Sequence, residues 1–170
     1  MTADTDLLTL YHGGTEKVEF IDLSKSRTRL DFGKGFYTTT SYDQSVRWSE
    51  LKSNRLKSDT KRKVVSVYSV KSIENLRIQK FNEANYDWLE FVVNNRLGNI
   101  QHNYDLVIGP IANDLTLLVV NAYMNGIYGV GKSAAEQAIN LLKPELLENQ
   151  YAFCTENAIS KLIFTRCYYL

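Results

Sequence analysis

Two cysteines, two histidines and two prolines are all that this chain of 170 residues contains. Each scarcity closes off a class of protein. Cys154 and Cys167 are too few for a disulfide scaffold and read as reduced packing residues. His12 and His102 lie far from each other and from both cysteines, so no zinc cluster is expected and no metal is assigned. Two prolines with nine glycines leave no room for a low-complexity linker. No apolar run approaches the ~20 residues that a membrane-spanning helix needs. The first residues show no basic segment leading into an apolar stretch, so no membrane partner and a cytoplasmic location are expected. Twenty basic residues balance nineteen acidic ones, which excludes a molecule-wide attraction to polyanions. Also missing are the phosphate-binding loop, the dinucleotide fingerprint and the Gly-x-Ser-x-Gly elbow; Gly131-Lys132-Ser133 is half a phosphate loop without its upstream glycine.

What is present describes an ordinary globular chain, 44% hydrophobic and 23% charged, which excludes a disordered tail or a collagen-like rod. Its length suits one domain over residues 1–170. Eleven tyrosines stand out, each a flat ring with a polar tip, suited to stacking and to half-buried packing. Charge is uneven locally. Arg47, Lys52, Arg55, Lys57, Lys61, Arg62 and Lys63 are opposed in that stretch only by Glu50 and Asp59, and Lys25, Arg27, Arg29 and Lys34 form a second basic group. A solvated helix face and its loop is the first reading of this stretch, and a surface that meets phosphates, of a nucleotide or a nucleic acid, is the alternative.

Periodicity predicts mixed strands and helices. Leu7–Tyr11 reads as a strand ended by His12-Gly13-Gly14, and Phe36–Thr40 as a second strand entered through Gly33-Lys34-Gly35. Ser41 with Gln44 forms a capping box for a helix in which Ser45, Trp48, Leu51 and Arg55 recur, with Trp48 expected toward the core. Lys63–Val70 is the clearest strand, Tyr86–Leu97 a helix closed by Gly98, and Tyr104–Ile111 another strand with a turn at Asn113-Asp114. Asp114 is placed to cap a helix over Leu115–Asn125 that Gly126 ends. Ser133 with Glu136 opens a helix that Pro144 closes. Gln150–Thr155 and Leu162–Tyr169 read as strands around a helical turn at Glu156–Lys161. Without strict alternation of strand and helix, the expected class is α+β.

Three features could carry chemistry. His12 leaves the first strand beside two glycines that let a ligand approach the backbone. Asp31-Phe32-Gly33-Lys34-Gly35-Phe36-Tyr37-Thr38-Thr39 is either a flexible lip to an aromatic stacking platform or a hairpin turn with packed rings. Gln150 opens a late strand. Trp88, Leu89 and Val92 read as core, Arg96 as an exposed or core-rim arginine, and His102 is assigned nothing.

Tyr11-His12-Gly13 followed by the Asp-Phe-Gly-Lys-Gly-Phe-Tyr-Thr-Thr segment resembles the ADP-ribosyltransferase superfamily, in its poly-ADP-ribose polymerase and diphtheria-toxin branch. The chain is most similar to a small bacterial family of stand-alone proteins of that kind. Asp87-Trp88-Leu89-Glu90-Phe91, the run Tyr104–Asp114 and the run Asn149–Glu156 fit as well, so the resemblance extends from Leu10 to about Phe164.

The resemblance implies split, mixed β-sheets with flanking helices around a cleft that binds NAD as co-substrate, without a metal. His12 matches the histidine that holds a ribose hydroxyl, Tyr37 the tyrosine that stacks on nicotinamide, and Gln150 the place of a glutamate that stabilises the cationic ribose. Gly13, Gly33, Gly35, Phe36 and Thr39 join His12 and Tyr37 in the implied NAD-binding set. A glutamine can hold the hydroxyl but lacks the carboxylate's charge, and Glu148 is the alternative for the third position. The implied activity is transfer of ADP-ribose from NAD to a macromolecule, RNA or protein, with RNA slightly preferred on account of the basic stretch. The implied setting is a toxin with an antitoxin partner, or antiphage defence. The competing reading is a catalytically inactive module that binds NAD, ADP-ribose or a partner protein; a 2′-phosphotransferase would want a second catalytic histidine and paired arginines.

Overall fold

The run Val64-Val65-Ser66-Val67-Tyr68-Ser69-Val70 is β-branched and aromatic almost throughout, and it forms strand β3 (Val64–Val70), buried on both faces. The computed structural model describes residues 8–56, 62–111, 114–142 and 148–170, the side chains of residues 114 and 115 excepted. Within it β1 (Thr9–Gly14), β2 (Phe36–Thr39), β3, β4 (Ile78–Lys80), β5 (Leu106–Pro110), β6 (Asn149–Phe153) and β7 (Leu162–Tyr169) make one sheet. The strand order is β4-β5-β6-β2-β1-β3-β7. Every pairing is antiparallel except β4 with β5, so the sheet is mixed and the expected α+β class is observed.

The sheet is pinched at its middle. Strand β1 registers six residue pairs with β3 but a single pair, Tyr11 opposite Thr39, with β2. The β1–β2 ladder is therefore the shortest in the sheet.

Side chains alternate across a strand, so each face gathers its own core. One face carries Leu10, Phe36, Tyr68, Leu106, Ile108 and Phe153. The other carries Val107 and Ala152, covered by α2 (Tyr86–Leu97), α3 (Asp114–Met124) and α4 (Lys132–Leu142). Trp88, Leu89 and Val92 are fully buried there, as their helical spacing predicts. Helix α2 matches the predicted span, with Asn85 as its N-cap and Gly98 closing it. Leu162–Tyr169 also matches residue for residue.

Several expectations are corrected. The first strand does not end at Tyr11 but runs through Gly14, because Gly13 and Gly14 pair with Val65 and Val64. Helix α1 (Tyr42–Asn54) is capped by Ser41 as predicted, yet it buries Ser45, Ser49 and Ser53. Trp48 is only half-buried and Leu51 is exposed. The reason is close packing: a Cβ on Gly13 would lie 1.9 Å from the Ser45 carbonyl oxygen, so only small residues fit beneath α1. Helix α4 begins at Lys132, one residue before the predicted Ser133 cap, and Ala135 N–H already donates to Gly131 O. The late strand covers Asn149–Phe153, and α5 (Glu156–Ile159) follows under a Thr155 cap. Strand β4, three residues long and half-buried, was not legible as a strand. The Asn113 turn, the Asp114 side-chain cap, Pro144 and the basic residues Lys57 and Lys61 lie outside the described residues.

Candidate active site at the β1–β2 ladder

His12 sits where the β1–β2 ladder opens, and its imidazole supplies a bond the backbone does not make there. Nδ1 lies 2.7 Å from the Tyr37 carbonyl oxygen. A carbonyl only accepts, so Nδ1 carries the proton and Nε2 presents a lone pair. The ring stacks on Phe36 with centroids 4.3 Å apart and planes 22° from parallel. Lys52 Nζ, reaching in from α1, stands 3.4 Å from Nε2 and donates to Gly13 O at 2.7 Å. Burial first, then the Lys52 charge, lower the His12 pKa to about 3, outweighing the Tyr37 carbonyl, which favours the proton. The imidazole is therefore neutral at physiological pH. It can accept a hydroxyl proton as a hydrogen bond; it cannot serve as an acid.

The ammonium beside it is tuned as well. Its crowding against the strand end, then the charges of Arg27 and Arg55, lower Lys52 to about 8, although the residue as a whole stays exposed.

The glycine-framed segment is a braced loop. Ser26 Oγ donates to Gly35 O at 2.8 Å and accepts from Gly35 N–H at 3.0 Å. His102 donates from Nε2 to Phe32 O at 2.8 Å and accepts at Nδ1 from Tyr104 N–H at 3.3 Å. Gly33 has φ +77°, and a Cβ there would lie 2.8 Å from Asn95 Oδ1, so the position requires glycine. The segment is thus a braced turn in which Phe36 is buried and Tyr37 half-buried. Tyr37 is pinned by its tip: the hydroxyl donates to Gly33 O at 2.7 Å and accepts from Phe32 N–H at 3.0 Å. Burial, then the Asp31 charge, hold its pKa well above the usual value, so it remains a phenol. Phe36 is buried, and Thr39 Oγ1 donates to Asn149 O at 3.1 Å while accepting from Ser41 N–H at 3.1 Å.

Gln150 lies on β6 opposite Thr39 of β2 and Gly109 of β5. Alternation puts it on the face shared by Tyr37 and Thr39, while His12 projects from the other face beside Phe36. The three candidates thus sit on adjacent strands β1, β2 and β6, with His12 joined to the others through the Tyr37 carbonyl and not through side chains. Gln150 is 3% exposed, and its Nε2 faces Asp31 Oδ2 at 3.4 Å and Pro110 O at 3.5 Å. Glu148, just before β6, is exposed.

Sequence reasoning missed four participants. Arg96, read as exposed or core-rim, turns inward from α2 and pairs with Asp31 Oδ1 through Nε at 2.6 Å and a terminal nitrogen at 2.5 Å. Asp31 belongs to the quoted motif, which was its only signal. Lys52 was legible only as one of a basic run, and His102 carried no signal for its loop-bracing bond. Burial, then the Asp105 charge, push the Cys154 thiol up to about 12, which disfavours its thiolate.

Two depressions lie elsewhere. One of about 650 Å³ is lined by residues of α3, α4 and the loop between them, including Leu118, Asn121, Tyr128 and Leu141. The other, about 350 Å³, is lined by Glu50, Ser53, Asn54 and Lys63. Among the described residues no cluster of histidine, cysteine and carboxylate side chains could hold a metal ion, and no helix is long and apolar enough to cross a membrane.

A family model described as a protein of unknown function, DUF3990, matches residues 8–164, and the chain belongs to that family. No curated protein and no solved structure matches it.

Proposed function

We propose that this member of the DUF3990 family is an NAD-dependent mono-ADP-ribosyltransferase. The observation that carries the reading is the one-pair ladder between β1 and β2, bridged by a neutral His12 whose Nε2 is met by the Lys52 ammonium at 3.4 Å. In the proposed reaction the Nε2 lone pair accepts a ribose hydroxyl of NAD, and Lys52 donates to a neighbouring oxygen. Tyr37, anchored by its hydroxyl, offers its ring to nicotinamide. Cleavage of the C1′–N bond sends its electron pair to nicotinamide, which leaves neutral, and builds positive charge on the ribose. Gln150 meets that charge with its amide oxygen. An acceptor nucleophile then bonds to C1′ and releases its proton to solvent.

The acceptor is a macromolecule, RNA in preference to protein, because exposed Arg47, Lys52, Arg55 and Arg62 give this side of the molecule a basic surface. The proposed setting is the toxin of a cytoplasmic toxin–antitoxin or antiphage system. One observation favours a second reading, an inactive NAD-binding module: Gln150 is uncharged and buried where a transferase wants accessible negative charge. Incubation with labelled NAD and cell extract, divided between nuclease and protease, separates these. Label lost to nuclease supports RNA transfer, and label lost only to protease moves the acceptor to protein. NAD binding without label in either arm establishes the module.

A further inference from the structure

Nε2 of Gln150 faces two groups that carry no hydrogen, the Asp31 carboxylate and the Pro110 carbonyl. Reversing the amide would set Oε1 against both oxygens, so its orientation follows from donor and acceptor chemistry alone. Both acceptors are themselves immobilised. Pro110 O also accepts from the indole of buried Trp88 at 3.3 Å. Asp31 Oδ1 is clamped by Arg96 of α2, whose other terminal nitrogen reaches Asn121 of α3 at 3.4 Å. The ion pair is largely removed from solvent, its side chains 19% and 14% exposed. No hydrogen bond among the described residues reaches Gln150 Oε1.

We propose that Asp31 is the positioning residue of Gln150: it holds the amide with Nε2 turned inward and leaves Oε1 as the acceptor toward the ribose. The ribose in that statement rests on the transferase reading; the orientation of the amide does not. An amide donating to an anion is polarised, and its oxygen becomes the stronger acceptor. The negative charge that a glutamine lacks therefore stands one hydrogen bond behind it, in a residue 119 positions away in the chain.

The test compares thermal melts at pH 8 of the parent, Asp31→Asn, Gln150→Glu and the double variant. Gln150→Glu alone sets two carboxylates against each other and lowers the midpoint. Adding Asp31→Asn supplies an amide donor to the new carboxylate and restores much of that loss. Strictly additive losses overturn the proposal. Should Asp31→Asn unfold by stranding Arg96, Gln150→Glu and Gln150→Met are compared at pH 5 and pH 8. The midpoint gap between them must widen as the new carboxyl ionises; an unchanged gap overturns the proposal. On NAD, Asp31→Asn lowers kcat for nicotinamide release by about tenfold or more with KM moved less than about threefold. An effect on KM alone refutes the positioning role. A parent protein that releases no nicotinamide refutes the transferase reading, and the melts then decide the Asp31–Gln150 coupling by themselves.

Discussion

Acidification from pH 7 to pH 5 isolates His12. In the unfolded chain its imidazole takes up a proton near pH 6.5, whereas in the folded protein burial and Lys52 delay protonation to about pH 3. Between those values the unfolded state binds the proton and the native state does not, so stability falls as pH falls. The slope is ~1.4 kcal/mol per pH unit for one such group, or about 2 kcal/mol lost from His12 by pH 5. Well above pH 6.5 the residue contributes no pH dependence. Urea unfolding of the parent and of His12→Gln at both pH values isolates the contribution, because every other titration is common to the pair. The parent should lose about 2 kcal/mol more than the variant over this interval. Parallel losses would refute the neutral, half-buried imidazole and with it the argument for Nε2 as an acceptor. Lys52→Met should shrink the difference without abolishing it, since burial is the larger cause.

Other outcomes follow from particular contacts. Gly13→Ala forces a Cβ to 1.9 Å from Ser45 O and must lift α1 from β1; a loss of ~3 kcal/mol is expected in urea unfolding, and one below ~1 would show that the two do not touch. Tyr37→Phe strands the Phe32 N–H and Gly33 carbonyl and should cost ~1–3 kcal/mol of stability while keeping the ring that stacks. Cys154 should resist iodoacetamide at pH 8 in the folded protein and react once urea exposes it, as its thiol is held to about 12; equal rates in both states would contradict its burial.

How much of this was legible in the sequence depends on how local each cause is. Helix α2 was readable because its apolar spacing and Gly98 cap lie within the same stretch, and β7 because eight consecutive residues favour extension. The packing of α1 was not readable. Its buried side is three serines, a pattern that makes sense only once Gly13, some thirty residues earlier, is known to lie beneath it. The candidates His12, Tyr37 and Gln150 came from motif resemblance, and the fold sets them on neighbouring strands. Their orientation could not be foreseen: Tyr11 registers opposite Thr39, so alternation sends His12 to the face opposite Tyr37 and Gln150. Asp31 and Arg96, 65 positions apart, meet only through the tertiary fold. Arg96 had no sequence signal distinguishing it from any surface arginine.

The most direct test of the account is nicotinamide release from NAD by the purified protein, read beside calorimetric NAD affinity for the parent, His12→Ala and Gln150→Ala. The parent should cleave NAD. His12→Ala should weaken both affinity and turnover, because its contact exists in the ground state, and Gln150→Ala should lower turnover with affinity largely kept, because its partner gains charge only as the bond breaks. No nicotinamide release by the parent, or release by Gln150→Ala at the parental rate, would contradict it.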